Sequence, residues 1–147
     1  MLEPIKIFTD GSSRGNPGPG GYGVVLKCGA QYKEISGGEP MTTNNRMELL
    51  AVIVGLEAIK RKNAEIVVVS DSSYVVKAVN EKWVFGWEKK NFDKKANPDL
   101  WQRFLAIYRQ HRVTFVWVKG HNGHPENERC DKLAVMEATK FLTSPNK

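Results

Sequence analysis

A chain of 147 residues with 41% hydrophobic and 26% charged side chains has the make-up of one globular domain, able to bury a core without disulfides or a structural metal. No apolar run approaches the roughly 20 residues that span a bilayer. The start, Met1-Leu2-Glu3-Pro4-Ile5, is neither basic nor long enough for a signal peptide, so a cytoplasmic protein without a membrane partner is expected.

Lys and Arg total 22 against 16 acidic residues, a net charge of +6 that suits a polyanionic partner. A merely soluble surface would account for it equally well. The two cysteines, Cys28 and Cys130, form no CxxC motif, and reduced thiols are expected in a cytoplasm.

The first third reads as an antiparallel meander. Ile5 to Asp10 is apolar enough for a central strand, and Gly11 to Gly23, rich in glycine with Pro17 and Pro19, reads as a turn entering the next strand. Tyr22 to Lys27 and Gln31 to Ser36 predict two strands joined by a hairpin at Cys28-Gly29-Ala30. Helical spacing then begins at Met47, Leu50, Ala51, Val54 and Ala58, with Thr42 or Thr43 as N-cap.

Glu65 to Val69 is a β-branched strand, followed by a helix over about 72–81. Asn97-Pro98-Asp99 opens another helix with a cap, a proline and an acid, and Leu100, Phe104, Ile107 and Tyr108 form its stripe. Val113 to Trp117 is a fifth strand. A last helix runs from about Pro125 to Phe141, leaving 143–147 as a frayed tail. Strands alternating with helices imply parallel neighbours and right-handed crossovers, hence a single α/β domain over 1–142 with a five-stranded mixed sheet.

Metal-assisted phosphodiester chemistry needs carboxylates converging from separate elements. Asp10 closes the first strand and Asp71 follows the fourth; if those strands are parallel neighbours, both acids emerge at one edge, where open sheets bind ligands. Glu48 falls early in the first helix and Asp131 early in the last. Each also has an ordinary structural use: Asp10 in a turn, Asp71 as a cap, Glu48 against the helix dipole, Asp131 as a solvated acid.

The stretches around these acids resemble a known family. Phe8-Thr9-Asp10-Gly11-Ser12 with Gly15-Asn16-Pro17-Gly18-Pro19-Gly20-Gly21, Thr42-Thr43-Asn44-Asn45-Arg46-Met47-Glu48-Leu49, Ser70-Asp71-Ser72, and Val118-Lys119-Gly120-His121 with Gly123 to Asp131 are similar, in order, to the four signatures of bacterial type I ribonuclease H. The resemblance implies a three-layer ribonuclease H-like fold with sheet order 3-2-1-4-5 and strand 2 antiparallel. It implies an endonuclease that cuts the RNA strand of RNA–DNA hybrids by a two-metal-ion mechanism, leaving 5′-phosphate and 3′-hydroxyl ends, and so removes RNA primers and R-loops. It further implies a monomer, two Mg²⁺ ions (Mn²⁺ as a substitute) on Asp10, Glu48, Asp71 and Asp131, and proton handling by His121 with Glu128.

By the same resemblance, Asn16, Asn44 and Asn45 contact the hybrid's minor groove, and Lys27, Thr43 and Asn97 form a pocket for a DNA phosphate. Lys82 to Lys95 corresponds to a basic protrusion in which Trp83 packs on a deoxyribose; a structural reading makes its aromatics core instead. This region is shorter than in familiar members, and Ser73 stands where glutamine is common. The same residues admit three alternatives: a zinc site on His121, His124 and Cys130, a DNA-cutting integrase- or transposase-like core of the same fold, and a catalytically silent nucleic-acid-binding module.

Overall fold

The structure, a computed structural model, describes residues 3–119 and 124–142. Its elements are β1 (Ile5–Ser13), β2 (Gly18–Cys28), β3 (Gln31–Thr42), α1 (Asn44–Glu57), β4 (Glu65–Ser70), α2 (Ser73–Asn80), α3 (Trp83–Lys89), α4 (Pro98–Tyr108), β5 (Arg112–Trp117) and α5 (Pro125–Leu142). The tail over 143–147 and His121 lie outside the described residues.

The sheet runs β3-β2-β1-β4-β5. β2 is antiparallel to both β1 and β3, whereas β4 is parallel to β1 and to β5. Successive strand residues point to opposite faces. Val24 accordingly packs beside Gly55 of α1, while Gly21 and Gly23 lie against α5 at Ala134 and Cys130. The sheet is thus the middle of three layers, and Ile7, Val24, Leu49, Ile53, Val68 and Phe104 are fully buried in the core.

The glycine-rich stretch departs from the sequence reading. β1 continues to Ser13, β2 begins at Gly18 and β3 reaches Thr42. Ladder pairing overrides the low strand preference of glycine, because Gly20, Gly21 and Gly23 are positions where helix or neighbouring-strand atoms approach too closely for a side chain. α1 is likewise more than a stripe. Met47, Leu49, Leu50, Ala51, Val52, Ile53 and Leu56 are all buried, since α1 lies between the sheet and α4.

The Thr43 cap forms as expected, its hydroxyl accepting from Arg46 N; at α2 the cap is Ser72, whose hydroxyl accepts from Val75 N, in place of Asp71. The Asn97 cap does not form. Asn97 adopts left-handed φ 62°, its Oδ1 accepts from Arg46 Nη1 and its Nδ2 donates to the Tyr74 hydroxyl, so tertiary partners hold the amide that a cap would need. The segment read as a protrusion contains α3, preceded by Lys82 at φ 66°. Its aromatics divide: Phe85 and Trp87 pack on Tyr108 and Trp101, Phe92 is buried, and Trp83 is 49% exposed.

Candidate active site

The β1–β4 ladder ends at the pair Thr9–Ser70, so Asp10 and Asp71 follow it side by side. Gly11 has no side chain where the α1 backbone crosses at Met47 and Glu48, and this approach brings Glu48 to Asp10. One carboxylate oxygen each from Asp10, Glu48 and Asp71 lie within 4.8 Å of one another. Asp131 comes from the opposite layer. Gly23 pairs with Asp10 across β1 and β2, and the Cys130 carbonyl occupies the space that a side chain there would need.

The end of β4 is gripped by three donors. Val69 O accepts from Asn127 Nδ2 at 3.2 Å, Ser70 O from Val118 N at 3.0 Å and Asp71 O from Trp117 Nε1 at 3.2 Å. The Ser70 hydroxyl accepts from Ser72 N at 3.0 Å, which closes the turn into α2.

Like charges and burial dominate the electrostatics. Asp10, only 7% exposed, has its carboxyl pushed up to about 8, first by burial, then by Asp71 and Asp131, against a bond from Gly11 N at 2.9 Å. Glu48 is raised well above the carboxylate range by burial and by Asp10 and Asp71. Its Oε1 is buried and accepts no hydrogen bond among the described residues. Clustered hard oxygens with a spare buried acceptor suit a divalent cation, which would offset the repulsion that raises these groups.

The zinc alternative loses Cys130 as a ready thiolate donor, and His121 lies outside the described residues. Cys130 is buried, its thiol donates to Phe8 O at 3.1 Å, and burial drives its ionisation far up. Among the described residues, the acidic group is the one cluster with metal-ligand geometry.

The expected substrate contacts are partly assembled. Asn44 and Asn16 join the β1–β2 turn to α1: Asn44 N donates to Asn16 Oδ1 at 3.0 Å, and Ser13 N to Asn44 Oδ1 at 2.8 Å. Both amides spend an oxygen there. Asn45 is exposed beside them. Thr43 and Asn97 meet through Arg46, whose guanidinium also forms a paired contact with Asp99.

Lys27 does not join them. It sits at the far end of β2, facing Lys6 and Tyr32, whereas the β2 residue next to Thr42 is Gly18. Roughly 30 Å of strand at about 3.3 Å per residue separates the two ends, and Lys27 is paired with Glu126 at 2.9 Å. The cation beside Thr43 and Asn97 is Arg46, which the strand-by-strand reading passed over. Trp83 lines a hollow with Tyr74, Trp87, Lys95 and Ala96, next to the Asn97–Tyr74 bond. Glu128 is exposed on the first turn of α5.

Residues 3–139 match the RNase H family profile. The chain belongs to the ribonuclease H family. It is 54% identical to the ribonuclease HI of Helicobacter pylori over 139 residues, 95% of this chain and 96% of that protein. It is also 54% identical to a ribonuclease H of Lachnoclostridium phytofermentans, with 91% of each chain covered.

Among solved structures, LC9-RNase H1, a type 1 enzyme with the type 2 active-site motif, superposes with a TM-score of 0.86 at 32% identity, covering 96% of this chain and 74% of that one. LC11-RNase H1 in complex with an RNA/DNA hybrid gives 0.73 at 29%, covering 95% and 99%. The sheet order 3-2-1-4-5 expected from the sequence is the order observed, in this family's fold. Asn127, which donates to β4 from one turn before Asp131, lies in the fourth signature but carries no role in the sequence reading; its signal is that spacing alone.

Proposed function

We propose that this ribonuclease H is an endonuclease that hydrolyses the RNA strand of RNA–DNA hybrids, with Mg²⁺ as its ion. The meeting of Asp10, Glu48 and Asp71 within 4.8 Å carries the reading, in a chain whose relatives are ribonucleases H over nearly their full length. Hybrid as substrate is supported by the LC11-RNase H1 complex.

Asp10, Glu48, Asp71 and Asp131 would hold the ions. Two bound divalent ions would supply Lewis acidity to the scissile phosphate, promote ionisation of an attacking water and stabilise the departing 3′ oxygen. The chain's own part is to bring four acids from β1, α1, the end of β4 and α5 into one place and to keep them there before the ions arrive. His121 and Glu128 handle protons near the leaving and attacking oxygens in this reading.

Asn16, Asn44 and Asn45 offer amide hydrogens to ribose hydroxyls and base edges, which separates a hybrid from duplex DNA. Thr43 and Asn97 face a DNA phosphate, and Trp83 presents an apolar ring to a deoxyribose. The products carry 5′-phosphate and 3′-hydroxyl ends, and the enzyme acts as a cytoplasmic monomer on primers and R-loops. No described helix is long and apolar enough to cross a membrane.

The deciding assay compares hybrid, duplex RNA and duplex DNA, each with Mg²⁺ and with EDTA. Cleavage of the RNA strand in the hybrid alone, abolished by EDTA, is the expected result. Cutting of duplex DNA, or cutting that survives EDTA, would refute the assignment.

A further inference from the structure

Asp131 differs from the other three acids in being carried by a helix on the far face of the sheet. Asp10 and Asp71 are tied together by a strand ladder, and Glu48 is seated by the contact of Gly11 with α1. α5 is tied to β1 by the Cys130 thiol on Phe8 O and reaches β4 by a separate bond. Asn127 lies one turn before Asp131, on the same side of α5. Its Nδ2 donates to the carbonyl of Val69, two residues before Asp71, at 3.2 Å. Val118 N and Trp117 Nε1, which also donate to the end of β4, come from the β5 side.

The rest of the side chain argues against simple packing. Asn127 Oδ1 is buried and has no hydrogen-bond partner among the described residues. An apolar residue of similar size would fill the space without burying an unsatisfied acceptor. What the amide supplies that an apolar residue could not is its donor, which links the helix to the strand.

We propose that Asn127 is a positioning residue that sets Asp131 relative to Asp71 and thereby sets the affinity of the site for a divalent cation. This rests on the reading of the four acids as an ion site. Groups that orient metal ligands without touching the ion typically change affinity by about 10- to 100-fold when removed.

The test titrates Mg²⁺ into the full-length protein, without nucleic acid, by calorimetry, and separately measures kcat and KM for hybrid at fixed Mg²⁺. Asn127→Leu should lower Mg²⁺ affinity roughly tenfold or more and lower kcat at limiting Mg²⁺, with KM for hybrid unchanged. Asn80→Ala is the comparator. Asn80 Nδ2 donates to Phe115 O at 3.2 Å, a like bond between helix and strand placed away from the acids; its loss should lower Tm and leave Mg²⁺ affinity alone.

If Asn127→Leu binds Mg²⁺ as the wild type does and loses only Tm, the positioning role is overturned. Should the leucine variant fail to fold, Asn127→Ala and Asn127→Gln replace it: the glutamine keeps an amide donor and should recover affinity that alanine lacks, and equal affinities overturn the proposal. A wild type that neither binds Mg²⁺ nor cuts hybrid removes the ion-site reading itself. A wild type that does both, matched by its Asn127 variants, removes only the inference.

Discussion

Gly23 faces Asp10 across the β1–β2 ladder, and the absence of a side chain at Gly23 is what lets the Cys130 carbonyl of α5 lie against the sheet. The residue after Cys130 is Asp131, so a missing methyl group on one strand decides whether the acid of the far helix reaches the acid of the neighbouring strand. Gly11 does the same for Glu48 on the other face. The acids therefore meet because two helices pack unusually close to β1 and β2.

Gly23→Ala should be costly in two measurements. The new Cβ would meet backbone, which cannot swing aside, so α5 must shift; overpacking of this kind costs about 1–3 kcal/mol. Chemical denaturation should show that loss, and hybrid cleavage at limiting Mg²⁺ should fall further than stability alone explains. Wild-type cleavage in a destabilised but folded variant would show that Asp131 does not depend on this contact.

Asp10→Asn should abolish hybrid cleavage and stabilise the metal-free protein. A carboxyl whose folded pKa is raised favours folding while protonated, and that contribution is lost as pH rises through the folded value. For Asp10 the window runs from the usual carboxylate value near 4 up to about 8. In EDTA, wild-type stability should fall across that window, and the variant should fall less and end the more stable of the two at pH 8. Parallel curves for the two proteins would give Asp10 a structural task instead.

Trp83→Ala should weaken hybrid binding more than it weakens folding, since the ring is 49% exposed while Phe85, Trp87 and Phe92 carry the packing of that segment. The expected result is a raised KM for hybrid with Tm within a few degrees of wild type. Collapse of the fold would return Trp83 to the core.

The two thiols should react at very different rates. Cys28 is partly exposed, with Arg61 Nη2 donating to its sulfur at 3.6 Å, whereas Cys130 is buried and resists ionisation. A disulfide reagent should label one thiol in the native protein and both after unfolding. Native labelling of both would mean that α5 opens readily from the sheet.

Much of the site was legible beforehand because the acids sit in short runs of characteristic residues: Asp10 where an apolar strand ends, Asp71 two residues beyond Val69, Glu48 five after the capping Thr43. The cap at Thr43 follows from chemistry within four residues of chain, whereas at α2 the cap fell to Ser72 and not to Asp71. Lys27 shows where such reading stops. Which end of β2 a lysine occupies depends on ladder register, and nothing in its immediate neighbours records that. The Asn97 cap failed for a related reason, its amide being taken by Arg46 and Tyr74 from distant elements.

The amino-acid sequence by itself determined the family, the candidacy of Asp10, Glu48 and Asp71, which the structure brings together, and the order of the elements, since these rest on local propensity and on contiguous motifs. Only the tertiary structure decided that most of a glycine-rich run is strand with the turn confined to 14–17, that Arg46 rather than Lys27 bonds both Thr43 and Asn97, and that Asn127 ties α5 to β4. Those outcomes are set by backbone pairing and by how closely helices approach the sheet, which sum many weak contacts between residues far apart in the chain.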